Sequence, residues 1–519
     1  MKEPTKDTVS KNLQKIYKEA ASYYKIPFVD KDRKKIVIWC IFISAIVINV
    51  YLYFHILDNF PHLLNDFEML YLLVSANLYK YGAYSFCVTT DCLPTLMILP
   101  VFTYIGNIVF LIFGLGEMAI EVIRIILILS NLGIIYITYR IGSLFNYKVG
   151  CVAAFLAASD LSMFCWANNF RPDMLYVFLF ALSLYFFIKF IKVNQSRKNI
   201  ILASFFLGLA ALTKPGAYLL FCPLSVFLLF FLLRIKRIPL AKGFCYIGMF
   251  VVIQAAFIGG WTARNYYTEG TWVFCSQVGA NAFFYHGAHL KAYQDGIPFR
   301  EAVKKMREEY ETEKVKELDV NERSVYYKGL LTRMILSSPL DYSVVILKYL
   351  DFLFLGSPPP DYLFSKQRRE ELFGVTGAKM NYEKEVLSKR PSLFFTRQVP
   401  AASHSGIGAS QSTLKRLLGK GFYSYILLWG FIKAHLLIIY IMASIGIIVI
   451  FKEKSNRWVL LVMLLIPAYF VFTVGPAPAS RHRAIIMPIF YFLSSYGLVW
   501  VGEVLRKYKK RRSWNEKTS

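Results

Sequence analysis

The chain has 519 residues, of which 56% are hydrophobic, 17% aromatic and 18% charged, with a formal net charge of +27. A soluble domain carries roughly a quarter charged residues, so this composition excludes an ordinary soluble protein. Many apolar runs of about 20 residues describe a polytopic membrane protein instead. The absence of strand-type alternation disfavours a barrel and points to an all-α chain.

The first 35 residues are polar and end in the basic stretch "KDRKK". No small-residue cleavage site follows the first apolar run, which reads as an uncleaved anchor. Spans are expected at Ile36–Leu57, Ala119–Tyr139, Val149–Cys165, Met174–Phe190 and Ile200–Leu212. Five more are expected at Gly216–Leu233, Gly243–Trp261, Ile426–Phe451, Trp458–Val474 and Ile485–Val504. Lys and Arg gather at Lys31–Lys35, Arg140–Lys148, Lys189–Lys198, Arg234–Lys242, Lys452–Arg457 and the tail from Arg506. All six fall on one side if Leu96–Leu115 and Val344–Leu355 do not cross, which is the positive-inside pattern. That pattern accounts for the net charge through an anionic cytoplasmic leaflet, without a nucleic-acid partner.

The expected fold is therefore a helical bundle of about ten to twelve spans, with both termini cytoplasmic. Juxtamembrane helices and a small extracytoplasmic subdomain would cover its outer face. A basic N-terminal segment (1–35) precedes a membrane module (36–262) whose first outer loop covers 58–117. An outer subdomain (263–425), the last spans (426–504) and a basic tail (505–519) follow. Cys87 and Cys92 flank a short stretch of the first outer loop, where an oxidising compartment permits a disulfide that spacing alone does not show.

The conspicuous polar residues fall on the face opposite the basic loops. Asp66 and Glu68 stand in "NDFEMLY", with Tyr71 close behind. Arg171 and Asp173 precede a span in "FRPDMLY", and Lys214 occupies the turn "LTKPGAY". Arg264 and Asn265 end a span in "WTARNYY", His286 lies in "GANAFFYHG", and Arg481 and Arg483 lie in "ASRHRAIIMP". Taken singly each has a plain explanation, such as a snorkelling lysine, an interface arginine, or an acid at a helix start. Recurrence at five loops on one face points to a bound anion, because charge beside hydrocarbon lines a cavity or meets a partner. Several cations converging on a phosphate supply the charge-assisted bonds it needs. An acid nearby would take a proton from an acceptor hydroxyl while the cations hold the departing phosphate. A lipid-linked donor suits a site at the bilayer edge.

The order of these motifs resembles the integral-membrane C-type glycosyltransferases (GT-C), specifically the protein O-mannosyltransferase and aminoarabinose-transferase-like superfamily. "YLLVSANLYKYGAYS", "LPTLMILP", "FRPDMLYVFLFALSLYF", "LGLAALTKPGAYLLFCPL", "WTARNYY" and "SRHRAIIMPIFYFLSSYGL" carry the likeness from about Asn65 to Leu498. The resemblance implies a polyprenyl-phosphate-linked sugar donor, membrane lipid around it, and a hydroxyl acceptor on protein, lipid or glycan. It implies Asp66 as catalytic base and Asp173 as a second acid. Arg171, Lys214, Arg264, Arg481 and Arg483 would lie near the donor phosphate. Phe67 separates Asp66 from Glu68, and Tyr71 is shifted by about one position, so Glu68 stays open as the base. Tyr71, Asn265 and His286 are assigned to the acceptor side. The resemblance implies no metal ligand set, and a divalent cation is left open. The site would lie outside the cytoplasm, in a plasma or inner membrane or in the endoplasmic reticulum.

The competing class is a transporter or lipid flippase. It predicts ionisable residues at mid-span, of which Lys433 and His435 are the main examples.

Overall fold

The computed structural model describes residues 31–59, 66–86, 94–318, 320–356, 422–476 and 480–518. Among these the secondary structure is helical, with no strand. The first helix, α1 (Lys31–Asn59), carries a span of which only 17% is buried. Its exposed Trp39, Ile43, Val47 and Phe54 present apolar surface that hydrocarbon, not water, would cover. Two shorter helices follow, α2 (Asp66–Tyr81) and α3 (Pro100–Phe113). Pro100 opens α3, where its missing N–H costs nothing. Ser75 Oγ donates to Thr103 O at 3.1 Å, and Tyr84 donates to Ile98 O at 3.0 Å, so α2 and α3 form one unit.

Helix α4 (Glu117–Ser143) turns tightly into α5 (Tyr147–Ala158). Asn146 caps α5 by accepting from Lys148 N at 3.0 Å. A Cβ on Gly142 would stand 2.7 Å from Gly150 Cα, so glycine is what lets these two helices touch. The run Val149–Cys165 is not one straight span. It breaks by 61° between α5 and α6 (Leu161–Ala167). Asp160 sits in the break, accepting from Ser162 N at 2.9 Å and from Tyr491 Oη at 2.7 Å.

Helix α7 (Asp173–Lys192) is the axis of the bundle, with 78% of its span buried. It is apolar on every side, as a helix surrounded by other helices must be. Helix α8 (Arg197–Ala211) packs along it, with Ser183 Oγ donating to Ala203 O at 2.7 Å. Helix α8 has 15 residues and, with the turn after it, returns the chain from the basic loop at one end of α7 to Asp173 at the other. A 3-10 turn (Pro215–Ala217), α9 (Phe221–Phe230) and a π turn (Phe231–Ile235) make the next span, followed by α10 (Leu240–Glu269).

The polar part of the chain folds as α11 (Gln277–Ala282), a π turn (Phe283–Gly287), α12 (Ala288–Asp295), α13 (Phe299–Tyr310), α14 (Glu313–Glu317), α15 (Val320–Ser337), α16 (Pro339–Lys348) and α17 (Leu350–Leu355). It has its own small core of Phe283, Met306, Tyr327 and Leu331. The chain then continues through α18 (Phe422–Lys452), α19 (Arg457–Val474), the short α20 (Ser480–Arg483) and α21 (Met487–Thr518). Among the described residues, eight helices are long and apolar enough to cross a membrane, and ten if each of two bent pairs is one span.

The two ends of α7 differ in character. At its C-terminal end Lys192 donates to Asn456 at 2.6 Å, Arg140 donates to Tyr185 Oη at 2.9 Å, and Tyr246 donates to Gln195 O at 2.5 Å. The basic loops around residues 140–148, 189–198 and 452–457 therefore gather there. Asp173 and the residues around it lie at the opposite end, about 30 Å of helix away.

Helices α18 and α21 cross at two glycines. A Cβ on Gly446 would stand 1.9 Å from Leu493 O, and one on Gly497 would stand 2.1 Å from Met442 O. Gly497→Leu is expected to force the pair apart and to abolish the monodisperse peak in size-exclusion chromatography. Gly502 on the same helix has nothing within 4 Å of its Cβ position, so Gly502→Ala should leave that peak unchanged.

Candidate functional site

Asp173 is the first residue of α7, and the carbonyl of Pro172 accepts from Tyr176 N at 2.9 Å. Negative charge at this position is favoured by the helix dipole. Lys214 follows α8 in an extended conformation, and its N–H donates to Ala210 O at 3.0 Å. The turn thereby aims its side chain at α7. Lys214 Nζ meets Asp173 Oδ1 at 2.5 Å, with the side chains 22% and 4% exposed. Burial draws the Lys214 ammonium below the ordinary lysine range, and the Asp173 charge acts against that shift.

Two guanidinium groups share this pocket. Arg171 and Arg481 both act electrostatically on Asp173 and on Lys214. The Nε of Arg481 is buried with no hydrogen-bond partner among the described residues. Tyr71 arrives from α2, edge-on to Phe102 at 5.5 Å, in electrostatic contact with Asp173, Arg171 and Arg481. Burial holds its phenol protonated well above the usual tyrosine range. Among the described residues the arrangement gathers three cations around the Asp173 carboxylate. It is built from α2, the α6–α7 junction, the start of α7, the turn after α8, and α20. An anion is the complement that such a pocket lacks.

Arg264 stands one aromatic ring further out. Its guanidinium lies 5.1 Å from the Tyr84 ring centre and 4.9 Å from that of Trp261, and Nη1 donates to Asn265 Oδ1 at 3.1 Å. Tyr84 in turn interacts with Tyr71. Asn265 donates to Val273 O at 2.8 Å and so closes the chain reversal after α10.

Arg483 is turned away from this pocket. Two residues along a helical turn place side chains roughly 200° apart, so Arg481 and Arg483 separate. Arg483 Nη1 donates to Leu353 O at 3.3 Å, Phe354 O at 2.9 Å and Gly356 O at 2.7 Å, at the C-terminus of α17. Lys433 donates to Leu355 O beside it. Both cations thus cap the negative end of a helix, which accounts for Lys433 without a transport role. Arg483→Met is expected to lower the thermal midpoint by several degrees, because it strips three buried carbonyls of their donor.

His286 also has structural partners. Its Nδ1 lies 2.7 Å from Tyr342 Oη, and its ring fills the space where a Cβ on Gly475 would stand 2.4 Å from Cε1. Gly475 has φ +56°, which suits glycine. Burial lowers the His286 pKa to about 4. The unfolded chain therefore binds its proton more readily between about pH 4 and pH 6.5. The stabilisation from neutral His286 is complete above about pH 6.5 and falls away as the pH drops toward 4. His286→Gln should flatten the thermal midpoint against pH across that window.

Helix α2 starts at Asp66 and carries Glu68 in its first turn. The side chains of both lie outside the described residues. Tyr71 reaches the pocket from the same helix, and about 7.5 Å of helix rise separates it from Asp66. Cys87 and Cys92 also lie outside the described residues. Among those that are described, no three His, Cys, Asp or Glu residues gather as a metal site.

Two pocket residues escaped the sequence reading. Tyr285 acts on Arg481 from the π turn before α12. Tyr176 shares a face of α7 with Asp173, and the three-residue spacing was the signal available.

The fold and this pocket define a class: an all-helical, multi-pass membrane protein with a cation-rich cleft at one end of its bundle. Residues 98–261 match the family model described as dolichyl-phosphate-mannose-protein mannosyltransferase. That segment contains Arg171, Asp173 and Lys214, and agrees with the superfamily that the motif order resembles. No curated protein shows a significant sequence match to this chain. Among solved structures, the chain is similar to the Archaeoglobus fulgidus oligosaccharyltransferase tethered with an acceptor peptide. That likeness has 13% identity, 90% of this chain and 50% of that chain covered, and a TM-score of 0.46. It is also similar to ArnT from Cupriavidus metallidurans bound to undecaprenyl phosphate, with 14% identity, 89% and 77% coverage, and a TM-score of 0.35. The chain spans about half the length of the archaeal enzyme it matches. Neither distant likeness assigns a residue or a reaction here.

Proposed function

We propose that this protein transfers a sugar from a polyprenyl-phosphate carrier to an acceptor hydroxyl, at the face of the membrane opposite its basic loops. The observation that carries the reading is the buried, unpartnered Nε of Arg481 beside Arg171 and the Lys214–Asp173 pair. In the reaction the acceptor oxygen bonds to the anomeric carbon as the bond from that carbon to the phosphate oxygen breaks. The acceptor proton passes to Asp66 or Glu68. The donor phosphodiester carries one negative charge, and the departing phosphomonoester carries up to two. Cations gathered around the phosphate favour the second state more than the first, which is the condition for accelerating the chemical step. The name of the family matched over residues 98–261 supports mannose as the sugar and protein as the acceptor.

The test uses full-length protein in liposomes with dolichyl-phosphate mannose and a hydroxyl-bearing peptide library. Wild type should transfer mannose, and Asp66→Asn or Glu68→Gln should abolish transfer while membrane insertion is retained. Full activity in both variants would remove an α2 acid as the base.

A further inference from the structure

We infer that Tyr176 is a further binding residue of this site, donating a hydrogen bond from its phenol to an oxygen of the lipid-linked phosphate. The inference rests on the proposed function. Three observations meet on this side chain. Tyr176 is only 6% exposed, and its Oη is buried without a hydrogen-bond partner among the described residues. It lies on α7 at the third residue after Asp173, on the same helix face and within electrostatic reach of that carboxylate. Its Oη also stands over the turn that carries Lys214, where a Cβ built on Gly216 would approach it to 3.0 Å.

An unpartnered hydroxyl inside a membrane-embedded bundle is costly. Phenylalanine would fill the same volume without that penalty. A tyrosine here needs a partner that comes and goes, and the cations beside it specify an anionic one. Lysine supplies a point charge and arginine a planar fork, whereas the phenol supplies a neutral, directional donor. Gly216 contributes by having no side chain. A Cβ there would crowd the Oη and restrict a ligand's approach to it.

The experiment uses the full-length protein in lipid nanodiscs and a C55 polyprenyl phosphate without sugar as probe. Titration gives Kd for wild type, Tyr176→Phe, Gly216→Ala and Lys214→Met, and thermal unfolding of each is followed without the probe. A hydrogen bond to a charged oxygen corresponds to about 10- to 100-fold in Kd. Tyr176→Phe should weaken binding by that factor while leaving the probe-free thermal midpoint unchanged or higher. Gly216→Ala should weaken binding in the same direction. Wild-type affinity in Tyr176→Phe, with Lys214→Met still impaired, would overturn the Tyr176 assignment and leave the proposed function standing. A lower probe-free midpoint in Tyr176→Phe would also overturn it, since the hydroxyl would then have a structural partner. Absence of binding by wild type would overturn both.

Discussion

Asp173→Asn is expected to damage this protein more than Lys214→Met, although the two side chains form a single ion pair. The reason is the company they keep. Asp173 faces Lys214, Arg481 and Arg171 together, so its loss takes from all three cations a carboxylate they share. Loss of Lys214 leaves the carboxylate with two guanidinium groups that still compensate it. Breaking a buried pair from the wrong side costs about 3–5 kcal/mol, a large share of a net stability of about 5–15 kcal/mol. The midpoint of thermal unfolding should therefore fall steeply in Asp173→Asn and only modestly in Lys214→Met. Transfer should be lost in both, because each contributes to the pocket. The double variant should regain part of the stability lost by Asp173→Asn, as one of the stranded charges goes with it. Equal midpoints for the two single variants would show that the pair is isolated and that the other cations do not act on Asp173.

Arg481→Gln should give the opposite signature. The Nε of this guanidinium has no hydrogen-bond partner among the described residues, and its attraction to Asp173 is set against the cost of burying it and the repulsion from Arg171 and Lys214. Removing it should leave the ligand-free protein as stable as wild type, or more so. The same change should cost transfer about 100- to 1000-fold, the scale for deleting one preorganised donor to a charge that develops in the transition state. Stability and activity moving in opposite directions is the mark of a group held in readiness for a ligand. Arg483, two residues away, supplies the internal contrast. Its Nη1 is committed to three carbonyls, so Arg483→Met should lose stability along with any activity. A matching loss of stability in Arg481→Gln would place Arg481 in the framework instead.

The contrast between these two arginines also shows what the sequence can and cannot carry. "SRHRAII" announces two cations near the start of a span, and the motif order groups both with the donor phosphate. Which one faces the pocket depends on the rotation of a four-residue helix, and no residue spacing records that. Asp173 was legible as an acid at the head of an apolar run, and the structure sets its carboxylate against Lys214. Lys214 taken alone reads as a snorkelling lysine, and only the packing of α8 along α7 brings its ammonium to Asp173. The all-helical fold followed from hydropathy alone. The break at Asp160 did not, because "AASDLSMF" keeps the mean hydropathy high while the aspartate turns its carboxylate inward to Ser162 N and Tyr491. Tyr176 was hidden for a related reason, since a tyrosine within "DMLYVFLF" looks like any other large residue of a buried helix.

Every assignment above depends on the cations around Asp173 being arranged to grip the phosphate of a long-chain lipid. Mass spectrometry of the lipid that stays with the purified protein addresses this most directly, with wild type and Arg481→Gln prepared in parallel. Wild type should carry a polyprenyl phosphate, with or without its sugar, and the variant should have lost it. Equal amounts of that lipid on both proteins, or none on either, would contradict the account.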